Sequence, residues 1–320
     1  MKKSDLKKVH KIISGSNDIA IAGHINPDGD CIGSLLALGI GLESIGKRVH
    51  LLLQDPVPRK YKDLPYADKI KTGVRKAPDL AITVDCNAED MVGKPFDMMR
   101  KARCVVAIDH HEYRKPFGDL SIVDTKAASV GEMVFDLLKY LKISITRDIA
   151  RNILTSIIVE TNSFRLPVVR PVTFSVCAEM LKTGVDYHDI SELVYWSRTR
   201  QEALLSAICM DRMVFLKKGR IAWSEILRKD FAGIKGKDED VDAVADDMRM
   251  IDTVKIAILF REKSAKLLRV SLRSKDGINV ASLARKYGGG GHFDCAGCHI
   301  PNDGKTKHDM LRAAAKLLKK

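Results

Sequence analysis

Three apolar runs in the first third of the chain each end in carboxylates or imidazoles, and this repetition constrains the fold more than any other feature. Residues 19–22 lead to His24, Asp28 and Asp30, residues 80–84 lead to Asp85, and residues 104–108 lead to Asp109, His110 and His111. Short continuous runs of Val, Ile, Ala and Leu read as strands buried on both faces, as in parallel sheets covered by helices. Polar groups at the ends of several strands converge only if those strands are parallel neighbours. In an open α/β sheet that edge is where ligands bind.

The expected fold class is α/β, with a parallel sheet carrying helices on both faces in the first part of the chain. A further strand is expected over 49–53, and helices over 32–42, 130–141 and 147–159. Ser129-Val130-Gly131-Glu132 has the S-x-x-E form of a helix start, in which two side chains satisfy two free backbone donors. Residues 171–216 read as helical, followed by strands over 220–224, 254–260 and 267–272, a short helix over 280–286 and a closing helix from 308. The domain division read from this pattern is 1–190, a helical linker over 191–216, and a smaller α/β domain over 217–320.

A length of 320 residues fits two domains, and 45% hydrophobic with 30% charged residues is globular composition. No apolar run reaches the roughly 18–20 residues of a membrane span. The basic start lacks the apolar core of a signal peptide, which argues against export. Seven scattered cysteines do not form a disulfide framework, so reduced thiols in a cytoplasmic setting are expected. The net charge of +13 suits a phosphate-rich partner, and equally suits a well-solvated surface.

The clusters themselves have the donor types that a pair of hard cations needs. His24, Asp28 and Asp30 offer one nitrogen and two carboxylates, and Gly29 permits a tight turn between the two acids. The alternative is a polar loop whose aspartates cap the next helix. Gly33 and Ser34 are read as opening that helix, where free N–H groups favour an anion such as phosphate. Asp85, at a strand end, points to a nearby cation, because burying an unpaired carboxylate is costly; the alternative is an N-cap for whatever follows Asn87. His110 and His111, adjacent on extended backbone, are expected to point in opposite directions, one to metal and one to substrate. Asp109 would orient an imidazole. Gly288 to Gly291, ahead of His292, would bring backbone N–H groups around a phosphate or a base edge.

The order G-H-x-x-P-D-x-D-x-x-G-S, D-C and D-H-H, with S-L-R-S and G-G-G-G-H in the second half, resembles the DHH phosphoesterase superfamily in its two-domain form with a DHH-associated C-terminal domain. The resemblance implies hydrolysis of short oligoribonucleotides to mononucleotides, removal of the 3′-phosphate of 3′-phosphoadenosine 5′-phosphate, or both. It implies two manganese ions, or magnesium in their place. His24, Asp28 and Asp85 would hold one, and Asp30, Asp85, His110 and Glu160 the other. The two ions would share Asp85 and activate a bridging water, and His111 would contact the scissile phosphate, with Asp109 counted among the catalytic residues. Ser34, His111, Arg273, Gly289, Gly290, Gly291 and His292 would bind substrate. The expected partner is a short RNA or nucleotide, with no membrane; a homodimer is compatible with this.

Two departures from the family pattern stand out. Glu160-Thr161-Asn162-Ser163-Phe164 replaces a D-T-G-x-F context, adding a methylene to one ligand. Cys295-Ala296-Gly297-Cys298-His299 satisfies the C-x-x-C-H pattern of haem attachment, and a zinc or redox role for the thiols is a further reading, although their packing as small buried side chains is the simpler expectation. Other readings of the same motifs are a phosphodiesterase for cyclic or linear dinucleotide signals, an exopolyphosphatase-like enzyme, or a nucleotide-binding module that has lost its chemistry.

Overall fold

The apolar runs become neighbouring parallel strands. The computed structural model describes residues 1–111, 115–241, 243–291 and 293–318. It divides into two units, Met1–Ser197 and Arg198–Lys320. The first contains α1 (Lys3–Ser14), β1 (Asp18–Ala22), α2 (Gly29–Ser44), β2 (Arg48–Leu52), β3 (Leu80–Val84), α3 (Phe96–Met99), β4 (Cys104–Asp109), β5 (Leu120–Val123), α4 (Val130–Tyr140), α5 (Arg147–Glu160), α6 (Pro171–Leu181) and α7 (Tyr187–Tyr195). Its sheet has the order β2-β1-β3-β4-β5, and every pair is parallel.

Side-chain alternation sorts the strands onto two faces. Ile19 and Ile21 enter the large core built with α1, α2, α4 and α5. Ala20 and Ala22 face a smaller cluster with Phe96 and Met99 of α3. Helices therefore cover both faces, unequally. The strand β5 has no counterpart in the sequence expectations. It is short and only partly buried, so its hydrophobic signal is weak.

The core helix of this unit is α2, buried from Gly29 to Leu42. A helix apolar on all sides belongs in the interior rather than at the surface. It meets α5 at backbone distance. A Cβ on Gly33 would lie 2.4 Å from the Asn152 carbonyl oxygen, and one on Gly29 would lie 2.5 Å from Val159 Cγ2. These glycines, one turn apart, let the N-terminal part of α2 approach α5 between Asn152 and Val159.

The second unit contains α8 (Arg200–Asp211), β6 (Val214–Leu216), β7 (Ile221–Ile226), α9 (Arg228–Ile234), α10 (Val244–Arg249), β8 (Ile256–Ser264), β9 (Leu267–Ser274), α11 (Ala281–Arg285), β10 (Gly290–Gly291), β11 (Cys295–Pro301) and α12 (Gly304–Leu317). Its sheet order is β10-β11-β9-β8-β7-β6; β7 and β8 run parallel and the other pairs antiparallel. One core joins the sheet to α11 and α12. A second includes Leu205 and Cys209 of α8, so that helix is built into this unit.

The C-x-x-C-H string lies on β11, where residues three apart face opposite sides. Cys298 is buried in the core beside Ala296 and Ile300, while Cys295 is on the other face. The two thiols cannot share a metal or a haem, and packing accounts for Cys298. All seven cysteines are free. No helix among the described residues is long and apolar enough to cross a membrane.

The α2–α5 contact makes a stability prediction. Alanine exceeds glycine by about 1 kcal/mol in helix propensity, but overpacking a tight contact costs about 1–3 kcal/mol. The neighbour at Gly33 is a backbone carbonyl, which cannot rotate away. Gly33→Ala should lower stability by roughly 1–2 kcal/mol in urea unfolding. An unchanged midpoint would mean that the helices separate freely.

Candidate metal centre

The three strand-end clusters meet in space. Asp85 leaves β3 in the left-handed conformation, φ 59°, with its amide donating to the Ile108 carbonyl at 3.0 Å. Its carboxylate is 3% exposed, and its two oxygens face different imidazoles. Asp85 Oδ2 is 3.4 Å from His24 Nε2. Oδ1 is 3.8 Å from His110 Nε2 and 3.6 Å from His111 Nδ1. These separations are too long for hydrogen bonds, and those to the Nε2 atoms of His24 and His110 suit ligand atoms that share an ion.

His24 Nδ1 lies 2.8 Å from the Ile25 carbonyl, and His110 Nδ1 lies 3.2 Å from the Ala127 carbonyl. A carbonyl only accepts, so in each ring Nδ1 carries the proton of that bond. Each Nε2 is then directed at carboxylates with the orientation of a metal ligand. His24 Nε2 is 3.7 Å from Asp28 Oδ1, and His110 Nε2 is 3.6 Å from both Asp30 Oδ2 and Glu160 Oε1. Three donor groups result, namely His24 with Asp28 and Asp85, Asp30 with His110 and Glu160, and Asp85 with His110 and His111.

Asp28 also caps α2, accepting from the amides of Asp30 and Cys31 at 3.0 Å each. The capping alternative and the ligand expectation thus fall on one residue. Asp30 is fully buried. Its Oδ1 accepts from Ser34 and Ser156 at 3.0 and 2.6 Å, and its Oδ2 from the Val130 amide at 2.9 Å at the start of α4. Burial, and after it the charge of Asp85, raise the Asp30 pKa to about 7 despite His110. A carboxyl pushed that far is one that a divalent cation would deprotonate and hold. Asp85 Oδ1 is buried and finds no hydrogen-bond partner among the described residues. The site fits a pair of cations.

Two expectations are corrected here. Ser34 does not present an anion site. The helix begins at Gly29, so Ser34 lies more than a turn inside it, wholly buried, with its hydroxyl spent on Asp30. His110 and His111 do not point in opposite directions either. Strand β4 ends at Asp109, and the two rings meet edge-on with centroids 5.1 Å apart, both beside Asp85. Asp109 accepts from His111 Nδ1 at 2.7 Å. Burial opposes a charged imidazole, but the Asp109 bond and the Asp85 charge outweigh it and raise His111 to about 9.

In the second unit Arg273 Nε donates to both carboxylate oxygens of Asp246 at 3.0 Å, which fixes the direction of the guanidinium. A Cβ on Gly289 would lie 2.1 Å from the Gly297 carbonyl oxygen, so only glycine fits there. Gly290 and Gly291 form β10, exposed and paired with β11. His292 lies outside the described residues.

Sequence reasoning missed Ser156, the Val130 amide and Asp246, which support rather than form the clusters. Ser156 could have been found, because it lies four residues before Glu160 on one helix face.

The comparisons with known proteins agree with this geometry. Residues 18–159 match the family model for the DHH family, N-terminal domain, and residues 225–320 match the DHHA1 domain. The bifunctional oligoribonuclease and PAP phosphatase NrnA of Thermus thermophilus is 31% identical, covering 92% of this chain and 86% of its own. The protein of the same name from Bacillus subtilis is 24% identical over 91% of each chain. The crystal structure of an exopolyphosphatase-related protein from Bacteroides fragilis superposes with a TM-score of 0.91 at 23% identity, covering 99% of this chain and 96% of the other. With both domain models in order and a relative aligned over nearly the full length, the chain belongs to the DHH phosphoesterase family, in the form that carries a DHHA1 domain.

Proposed function

We propose that the protein is a manganese-dependent phosphoesterase that degrades short oligoribonucleotides to mononucleotides and removes the 3′-phosphate of 3′-phosphoadenosine 5′-phosphate. The observation that carries this reading is Asp85, a buried carboxylate whose two oxygens face separate imidazoles of separate donor groups. The activities in the names of the Thermus thermophilus and Bacillus subtilis relatives support the substrate class.

His24, Asp28 and Asp85 would hold one cation, and Asp30, Asp85, His110 and Glu160 the other. Oxygen and imidazole donors without a thiolate favour manganese or magnesium over structural zinc. When bound, such a pair supplies a reactive water at neutral pH and neutralises charge on a phosphoryl group. The chain's own residues do the rest. Asp109 holds the His111 ring and favours its charged form, so His111 can donate a proton to a phosphate oxygen as negative charge grows there. Arg273, oriented by Asp246, and the backbone of Gly289, Gly290 and Gly291 would grip the nucleotide in the second unit. The first unit is then catalytic and the second binds nucleotide. The seven free thiols support a cytoplasmic setting.

Asp85→Ala tests the centre directly. Loss of a group shared by both cations should remove several kcal/mol of transition-state stabilisation, and so several orders of magnitude in manganese-dependent cleavage of an RNA dinucleotide. The metal-free protein should unfold at the same temperature or higher, because a costly buried charge is gone. Retained cleavage would refute the assignment.

Arg273→Ala separates substrate classes. Losing charge-assisted hydrogen bonds of about 1.5–3 kcal/mol should raise KM for the dinucleotide and for 3′-phosphoadenosine 5′-phosphate by roughly 10–100-fold. Hydrolysis of inorganic polyphosphate should change little. Equal losses on all three substrates would count against a nucleotide grip.

A further inference from the structure

Tyr61 ends the short turn Arg59–Tyr61, a segment that carries no motif. Its side chain is 1% exposed, and its phenolic oxygen has no hydrogen-bond partner among the described residues. Native proteins rarely leave a buried hydroxyl unsatisfied, and those that remain mark a water, an ion or a functional partner. The turn is anchored, with the Tyr61 amide donating to the Pro58 carbonyl at 2.9 Å and Arg59 Nη2 donating to the Ser197 carbonyl at 2.7 Å.

The phenol reaches the start of α2. A Cβ on Gly29 would lie 2.8 Å from its oxygen, and Gly29 directly follows Asp28. Asp28 and Tyr195 lie near enough to act on the phenol electrostatically, and a neutral phenol is a hydrogen-bond donor. The Tyr195 hydroxyl is already engaged by Ser163 at 2.6 Å. Asp28 is the most exposed of the expected ligands, with half of its side chain open. Its Oδ1 is held by two amides.

We propose that Tyr61 is a positioning residue, whose hydroxyl donates a hydrogen bond to the Asp28 carboxylate in the metal-loaded centre and fixes that ligand on its cation. The proposal rests on Asp28 being a metal ligand. Donors of this kind orient ligating carboxylates and typically govern 10–100-fold in metal affinity. They need not touch the substrate.

The test is manganese binding to the full chain without substrate, followed by the paramagnetic resonance signal of free Mn²⁺, for the parent, Tyr61→Phe and Asp28→Asn. Tyr61→Phe should weaken one of two sites about 10–100-fold and leave the other within about twofold. Saturating manganese should restore kcat for a dinucleotide to near the parent value, with only the activating metal concentration displaced. Two sites of parental affinity in Tyr61→Phe would overturn the role. So would loss at both sites together with a lower urea midpoint of the metal-free protein, which would mark a packing role. Asp28→Asn separates the premises. Unchanged binding there overturns the ligand assignment itself, whereas loss there without loss in Tyr61→Phe overturns only the part given to the tyrosine.

Discussion

Mutual repulsion between Asp30 and Asp85 is the constraint around which the first unit is organised. Both carboxylates are buried, and the charge of Asp85, after burial itself, raises the cost of charging Asp30. Amides at the start of α4, the Ser34 and Ser156 hydroxyls, and His110 stabilise Asp30. Asp85 has fewer supports, and one of its oxygens has none among the described residues. An apolar core would not retain such a pair without a positive charge between its members. The parallel sheet provides part of the rigidity that keeps the groups together, because His24, Asp85 and His110 follow the ends of β1, β3 and β4, while α2 and α5 carry Asp30 and Glu160.

Much of this was legible in the sequence, for identifiable reasons. Strands buried on both faces are written as unbroken apolar runs, so β1, β3 and β4 could be found, and with them the polar groups at their ends. What lay at the sheet edge was harder to read. β5 has four residues and little burial, and its signal resembles that of any loop. The fate of Ser34 was hidden because a serine near a helix start looks the same whether it faces solvent or an interior carboxylate. The histidine pair misled for a geometric reason. The two-residue alternation of strands applies only while the strand lasts, and β4 stops one residue before the first imidazole. Tyr61 carries no motif at all; only its burial and its unsatisfied oxygen single it out.

Part of the backbone strain lies beside the same centre. Asp85 is left-handed, and so are Asn162, Ser163 and Phe164, with φ of 48°, 54° and 63°, directly after Glu160 and Thr161. Non-glycine residues in this region cost of order 1–3 kcal/mol each and persist where surrounding structure over-determines them. Here Thr161 accepts from the Phe164 amide, Ser163 is tied to Tyr195, and Phe164 stacks on Phe174 at 5.0 Å. The position where the family pattern has glycine is taken by Asn162, a residue that tolerates this conformation better than most. The longer acid at position 160 therefore leads into a turn held by specific contacts rather than by glycine.

The glycine-lined contact between α2 and α5 has a wider meaning. Asp30 is carried by one helix and Glu160 by the other; at Gly33 the α2 backbone lies against the Asn152 carbonyl, and at Gly29 it lies against the Val159 side chain. The contact acts as a caliper: main chain against main chain at Gly33, and main chain against Val159 at Gly29, set how closely the helices that carry the two acids approach. Widening that seam would move the helices that carry the two acids, so tolerance to substitution along it is set by the site as much as by folding.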